Sequence, residues 1–164
     1  LARTHPDRVL TLGLIDAAGV TSPEPSDLER MREQSNSNPF LFTAPADYDD
    51  FYAMTMANPP FVPGFVRYAL AQEQAERRDE LAEIYQDFAG QDLLDDHLDE
   101  ITAPTLVMWG EEDRLVDPTA ADVWMAGLPD ASLVTYPGVG HLPMLEIADR
   151  SAEDYRKFLA AHMS

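Results

Sequence analysis

Apolar positions along the chain fall into three short unbroken runs separated by longer periodic stretches. Val9-Leu10-Thr11-Leu12-Gly13-Leu14-Ile15 ends at Asp16, and Ala17-Ala18-Gly19 breaks it. Thr105-Leu106-Val107-Met108-Trp109 ends at Gly110. Leu133-Val134-Thr135-Tyr136 runs into the turn Pro137-Gly138-Val139-Gly140. Runs without polar alternation predict strands covered on both faces, as in a parallel sheet.

The stretches between them have helical periods. Ser26 and Glu29 have capping-box spacing, which predicts a helix over 27–34. Residues 35–45, with their Ser, Asn and Pro, read as a loop. A helix is expected over 46–57, stopped by Asn58-Pro59-Pro60. From Phe65 to Ala89 the pattern predicts one long helix. Its stripe is Leu70, Leu81, Ile84, Tyr85 and Phe88, and Gly90 ends it. Residues 91–100 are acidic, with Leu93, Leu94, Leu98 and Ile101 as anchors. Asp117-Pro118 reads as N-cap and first position of a helix that stops at Gly127. A closing helix is expected over 146–161, with Ala148, Ala152, Tyr155, Phe158 and Leu159 on one side. Strands alternating with helices imply βα crossovers and an α/β class. The organisation expected is a core segment 1–21, a helical insertion 22–100 and a second core segment 101–164.

Composition narrows the chemistry. The 164 residues include 45% hydrophobic ones, which is ordinary for a folded domain. The absence of cysteine removes disulfides, thiolate metal sites and a cysteine nucleophile. The net charge is −19, which weighs against a nucleic-acid partner. Residues 1–21 carry two acids and two bases, residues 22–100 carry 18 and 5, and residues 101–164 carry 10 and 4. A solvated acidic face, adaptation to salt and repulsion of anionic substrates all fit that distribution. No apolar run reaches the ~18 residues of a membrane span, and no signal segment is evident, so a cytoplasmic location is expected. The chain opens without Met, on Leu1-Ala2-Arg3-Thr4-His5-Pro6, which reads as the end of a helix already under way.

Two stretches lie just past strand ends, where open α/β sheets place their sites. One is Trp109-Gly110-Glu111-Glu112-Asp113; the other is Gly138-Val139-Gly140-His141-Leu142-Pro143-Met144. An Asp after one strand and a His after the next can meet above the sheet. There the carboxylate fixes the imidazole tautomer and stabilises its charged form. Asp113 is also plain turn chemistry, and Asp117 and Asp16 are competing carboxylates. His5, His97 and His162 read as surface residues, and no pair of them has metal-ligand spacing.

These two stretches, in this order, resemble the C-terminal half of the α/β-hydrolase family. The opening through Leu14-Ile15-Asp16 resembles the segment that leads from the nucleophile helix into the family's sixth strand. The resemblance implies parallel strands with flanking helices and an inserted helical cap over 22–100. It implies Asp113 as triad acid and His141 as triad base; Asp16 is the rival acid, because some members place the acid after the sixth strand. Met144, Trp109 and Phe61 are candidates for a substrate pocket, alongside Phe65 and Phe88, with core packing the plainer reading. No Gly-x-Ser-x-Gly occurs, and none of the seven serines sits in a strand–turn–helix elbow. The expectation is therefore a fragment of an esterase- or lipase-like serine hydrolase. Its small-molecule ester substrate, absence of metal or cofactor, and dependence on a missing N-terminal half all follow from the resemblance. The chain alone is expected to be inactive. An Asp-nucleophile enzyme, such as an epoxide hydrolase or haloalkane dehalogenase, shares this downstream half, and a non-catalytic truncated chain is the other alternative.

Overall fold

The computed structural model describes residues 1–35, 38–41, 44, 47–88 and 92–163. Gly90, the side chain of Phe88, part of the 35–45 loop and the expected helix start at 46 lie outside the described residues.

Three parallel strands form one sheet in the order β1 (Leu12–Ile15), β2 (Thr105–Gly110), β3 (Ala131–Tyr136). Leu12 registers with Thr105, and Thr105 with Ala131. Between β1 and β2 the chain inserts α1 (Asp27–Ser35), α2 (Tyr48–Thr55), α3 (Gly64–Glu76) and α4 (Arg78–Phe88). Helix α5 (Ala120–Gly127) joins β2 to β3, and α6 (Pro143–Glu146) and α7 (Ala148–His162) follow β3. Every residue of β2 is buried. Its side chains divide by parity, as strand geometry requires. Val107 and Trp109 face Leu98, Ala120 and Trp124 on one side. Leu106 and Met108 face Tyr136, Val139 and Phe158 on the other. The unbroken apolar run of β2 is thus the signature of a middle layer.

Local chemistry sets the ends of α1 as its sequence predicts. Ser26 Oγ accepts from the Glu29 N–H at 3.2 Å, and Glu29 Oε2 accepts from the Ser26 N–H at 2.8 Å. The long helix expected over Phe65–Ala89 is instead two helices. Arg77 leaves helical geometry at φ −94°, ψ 10°, and its guanidinium turns onto Glu80 at 2.9 Å in the first turn of α4. An acidic first turn suits a helix N-terminus, so Asp79 and Glu80 favour a new start there. Leu70 and Ile84, both in the expected stripe, are nearly half exposed.

The loops after β2 and β3 touch at Gly110. A β-carbon on Gly110 would overlap the carbonyl oxygens of Gly140 and Val139. Gly140 is hemmed in on its other side, where a β-carbon would stand 2.7 Å from the Ala57 backbone nitrogen. Gly110→Ala therefore forces backbone apart and is expected to destabilise the protein carrying this chain by about 3 kcal/mol. Urea unfolding measures this, and a loss under about 1 kcal/mol would mean the two loops separate freely.

Candidate active site

Asp113 sits in the tight turn that leaves β2, and its N–H donates to the Gly110 carbonyl at 3.2 Å. Its side chain is fully buried, and the two oxygens do different work. Oδ1 accepts from the backbone N–H groups of Leu115 and Val116, at 2.8 and 3.1 Å. Oδ2 lies 2.8 Å from Nδ1 of His141. One oxygen thus holds the turn and the other meets the histidine. The competing Asp117 turns away: its Oδ1 accepts from the Thr119 N–H and hydroxyl.

His141 follows β3 on a loop held from several directions. Its own N–H donates to the Thr55 carbonyl at 3.0 Å, at the end of α2. Glu146 Oε1 accepts from the Gly140 N–H at 2.8 Å, and Oε2 accepts from the Asn58 N–H at 2.7 Å. Asn58 Nδ2 returns a bond to the Gly138 carbonyl at 2.8 Å. One carboxylate thereby ties the histidine loop to the insertion. Nothing in the sequence marked the bonds from Glu146 to Asn58, Asn58 to Gly138 or His141 to Thr55, because their partners lie 80 or more residues apart.

Asp16 closes the site from β1. It is buried and has a left-handed φ of 47°, uncommon for a residue with a side chain. Oδ1 accepts from the Gly110 N–H at 2.7 Å, while buried Oδ2 has no hydrogen-bond partner among the described residues. Burial pushes its pKa up to about 8, opposed by the Gly110 N–H and by His141, and reinforced by the charges of Asp113 and Glu146. His141 is shifted too. Burial acts to lower its pKa, but the hydrogen bond and charge of Asp113, with the charge of Asp16, more than reverse this and leave it raised. The Asp16 contribution arrives only where that carboxyl is ionised.

Asp16, Asp113 and His141 each offer one ligand atom, and these lie within 4.8 Å of one another. Their donor chemistry argues against an ion between them. Asp113 Oδ2 and His141 Nδ1 are already in direct hydrogen bond, and Asp113 Oδ1 is filled by two backbone N–H groups. Asp113 and His141 thus satisfy each other as an acid–imidazole pair, and only Asp16 Oδ2 is left without a partner among the described residues.

A cavity of about 760 Å³ opens from His141 and Asp16 into the insertion. Its walls are mainly apolar, including Leu28, Leu81, Ile84, Leu93 and Leu115. The three residues expected from sequence to line a pocket are absent from its walls. Trp109 is wholly buried in the core, because its position on β2 points it at α5. Phe61 is 90% exposed on the connection between α2 and α3, with the proline-rich turn holding it outward. Met144 lies partly exposed on the short α6, beyond the histidine loop. Val116, Leu115 and Tyr85 take those places instead.

The profile of the alpha/beta hydrolase family matches residues 6–154. The chain belongs to the alpha/beta hydrolase family. Its relatives within the family include Lipase 1 of Psychrobacter immobilis, 30% identical over 165 residues, covering 96% of this chain and 50% of that protein. Monoacylglycerol lipase abhd6-B of Xenopus laevis is 24% identical, covering 99% of this chain and 51% of its own. The crystal structure of a membrane phospholipase A, described as a bacterial virulence factor, superimposes with a TM-score of 0.94 at 30% identity. It covers 99% of this chain and 53% of that one. The chain thus spans about half the length of the family members it matches. Among the described residues, no helix is long and apolar enough to cross a membrane.

The shift at Asp16 has a consequence for stability. An unfolded carboxyl gives up its proton near 3.8, but the folded protein holds it up to about pH 8. The unfolded state therefore binds fewer protons in this window, and the burial of Asp16 costs more stability as pH rises through it. Asp16→Asn keeps the acceptor for Gly110 and removes the titration. Its effect on unfolding free energy is expected to be more favourable at pH 8 than at pH 5, by on the order of 3 kcal/mol. Equal effects at both pH values would show that Asp16 is not protonated in the fold.

Proposed function

We propose that the protein carrying this chain hydrolyses carboxylic esters, with Asp113 and His141 as the acid and base of a Ser-Asp-His triad. The observation that carries the reading is the 2.8 Å bond from Asp113 Oδ2 to His141 Nδ1 at the carboxyl ends of adjacent parallel strands. With Nδ1 engaged, Nε2 is the nitrogen left to act at the cavity. The lipase relatives support the reading at the level of ester hydrolysis. The four-helix insertion is read as the cap of the active site, its cavity receiving the substrate's apolar part.

In this reading the nucleophilic hydroxyl comes from a segment outside these 164 residues. As it attacks the ester carbonyl, its proton passes to Nε2 of His141. The imidazolium, stabilised by ionised Asp113, returns that proton to the departing alcohol oxygen. Water then attacks the acyl-enzyme, giving its proton to His141, and the nucleophile regains it as the acid leaves. Asp113 never takes the proton. The two backbone donors occupy Oδ1 and leave Oδ2 as the acceptor aimed at Nδ1.

His141→Ala is expected to abolish turnover of a short p-nitrophenyl ester by the protein carrying this chain, and retained activity would sink the assignment. Asp113→Asn leaves the imidazole in the wrong tautomer and is expected to lower kcat by about 10⁴. Asp16→Asn should cost far less; the reverse order would make Asp16 the triad acid.

The raised pKa of His141 sets a pH profile. Its neutral form is the base, so the acid limb of kcat/KM is expected above the ordinary imidazole value of 6.5. Loss of the Asp113 charge should move that limb down. A limb at or below 6.5 in the unaltered protein would contradict the coupling.

A further inference from the structure

Among the described residues that line the cavity, Arg32 is the only Lys or Arg. Six of the ten arginines pair with carboxylates: Arg3, Arg30, Arg67, Arg77, Arg78 and Arg114. Arg32 makes no such pair among the described residues, although the insertion around it holds 18 acids and 5 bases. Its Nη1 donates to the Tyr85 hydroxyl at 2.6 Å, and its guanidinium lies 5.0 Å from the Tyr85 ring centre. These contacts orient the planar group, which is exposed and makes no carboxylate pair among the described residues. Glu29, an acid in the same lining, has Oε2 engaged by the Ser26 N–H in the capping box.

Position adds to chemistry. Leu28 packs with Leu115, two residues beyond Asp113. Arg32 stands one turn further along α1, about 5.4 Å on, and also borders a second depression with Ser22, Pro25 and Glu33. The cavity therefore has His141 on its core side, apolar walls, and a guanidinium on its insertion side.

We infer that Arg32, set by Tyr85, is a specificity-determining residue that binds an anionic group of the substrate. The substrate class is an ester in which an apolar spacer separates the scissile carbonyl from a carboxylate or phosphate. The insertion is otherwise strongly acidic, so the one arginine that lines the cavity among the described residues is where such a group settles. The inference rests on the hydrolase reading of the same site and names the substrate class within it.

The test uses three p-nitrophenyl esters of matched acyl length, with a methyl, a carboxylate or a phosphate terminus. In the protein carrying this chain, R32Q is expected to lower the ratio of anionic to neutral kcat/KM about 10-fold, chiefly through KM. R32K should restore part of it. A purely structural Arg32–Tyr85 contact would lower all three rates in parallel, and an unchanged ratio overturns the inference. The carboxylate and phosphate arms show which anion the site prefers. Calorimetric binding of hexyl phosphate and hexanol reads the subsite without turnover, and R32Q should weaken only the first. Failure of the hydrolase reading looks different: no ester is turned over, or turnover survives His141→Ala.

Discussion

The carbonyl oxygen of Gly140 stands where a side chain at position 110 would be, and everything at the site follows from that contact. Parallel neighbours β2 and β3 bring their outgoing loops to the same edge, but strand spacing alone leaves the loops separate. The missing β-carbon at 110 lets the two loops close, and the one at 140 lets the histidine loop close on the Ala57 backbone. Asp113 then comes within one hydrogen bond of His141, and the Gly110 N–H is left pointing at Asp16. A single close approach of main chain thus sets three titratable groups from three parts of the sequence.

Those groups are not equivalent. Asp113 is buried with its oxygens filled by two backbone donors and an imidazole. Asp16 is buried with one donor and a second oxygen that has no partner among the described residues, and burial pushes its carboxyl pKa up to about 8. Similar burial is therefore met by different numbers of donors, and the acid with fewer is the one whose charged form burial opposes.

Much of this was legible before any coordinates. The unbroken runs at Thr105–Trp109 and Leu133–Tyr136 encode strands with two covered faces, and Ser26 with Glu29 writes a helix start in four residues. Asp113 and His141 were legible because each follows a strand directly. Other features were not. The helix break at Arg77 depends on a turn that propensity barely registers among good helix formers. Trp109 looked like a pocket residue because sequence says how apolar a position is, not which way a strand points it. Glu146, Asn58 and Thr55 make bonds across 80 or more positions, and local pattern carries no trace of such pairings. Arg32 was one base among many acids until its neighbours showed which charges were already matched.

The bonds that join the insertion to the core have a mechanical consequence. Thr55 and Asn58 are fastened to the histidine loop by main-chain and carboxylate bonds, which tie that stretch to the end of the sheet. Helices α3 and α4 are held differently. Among the described residues, their polar ties run from Arg67 to Asp49, Gln74 to Phe40, Arg78 to Leu41 and Arg32 to Tyr85, all inside the insertion. The insertion is therefore clamped at the histidine and tethered to itself at its far wall. A ligand entering the cavity therefore lies between a wall bonded only within the insertion and a histidine loop bonded across to it.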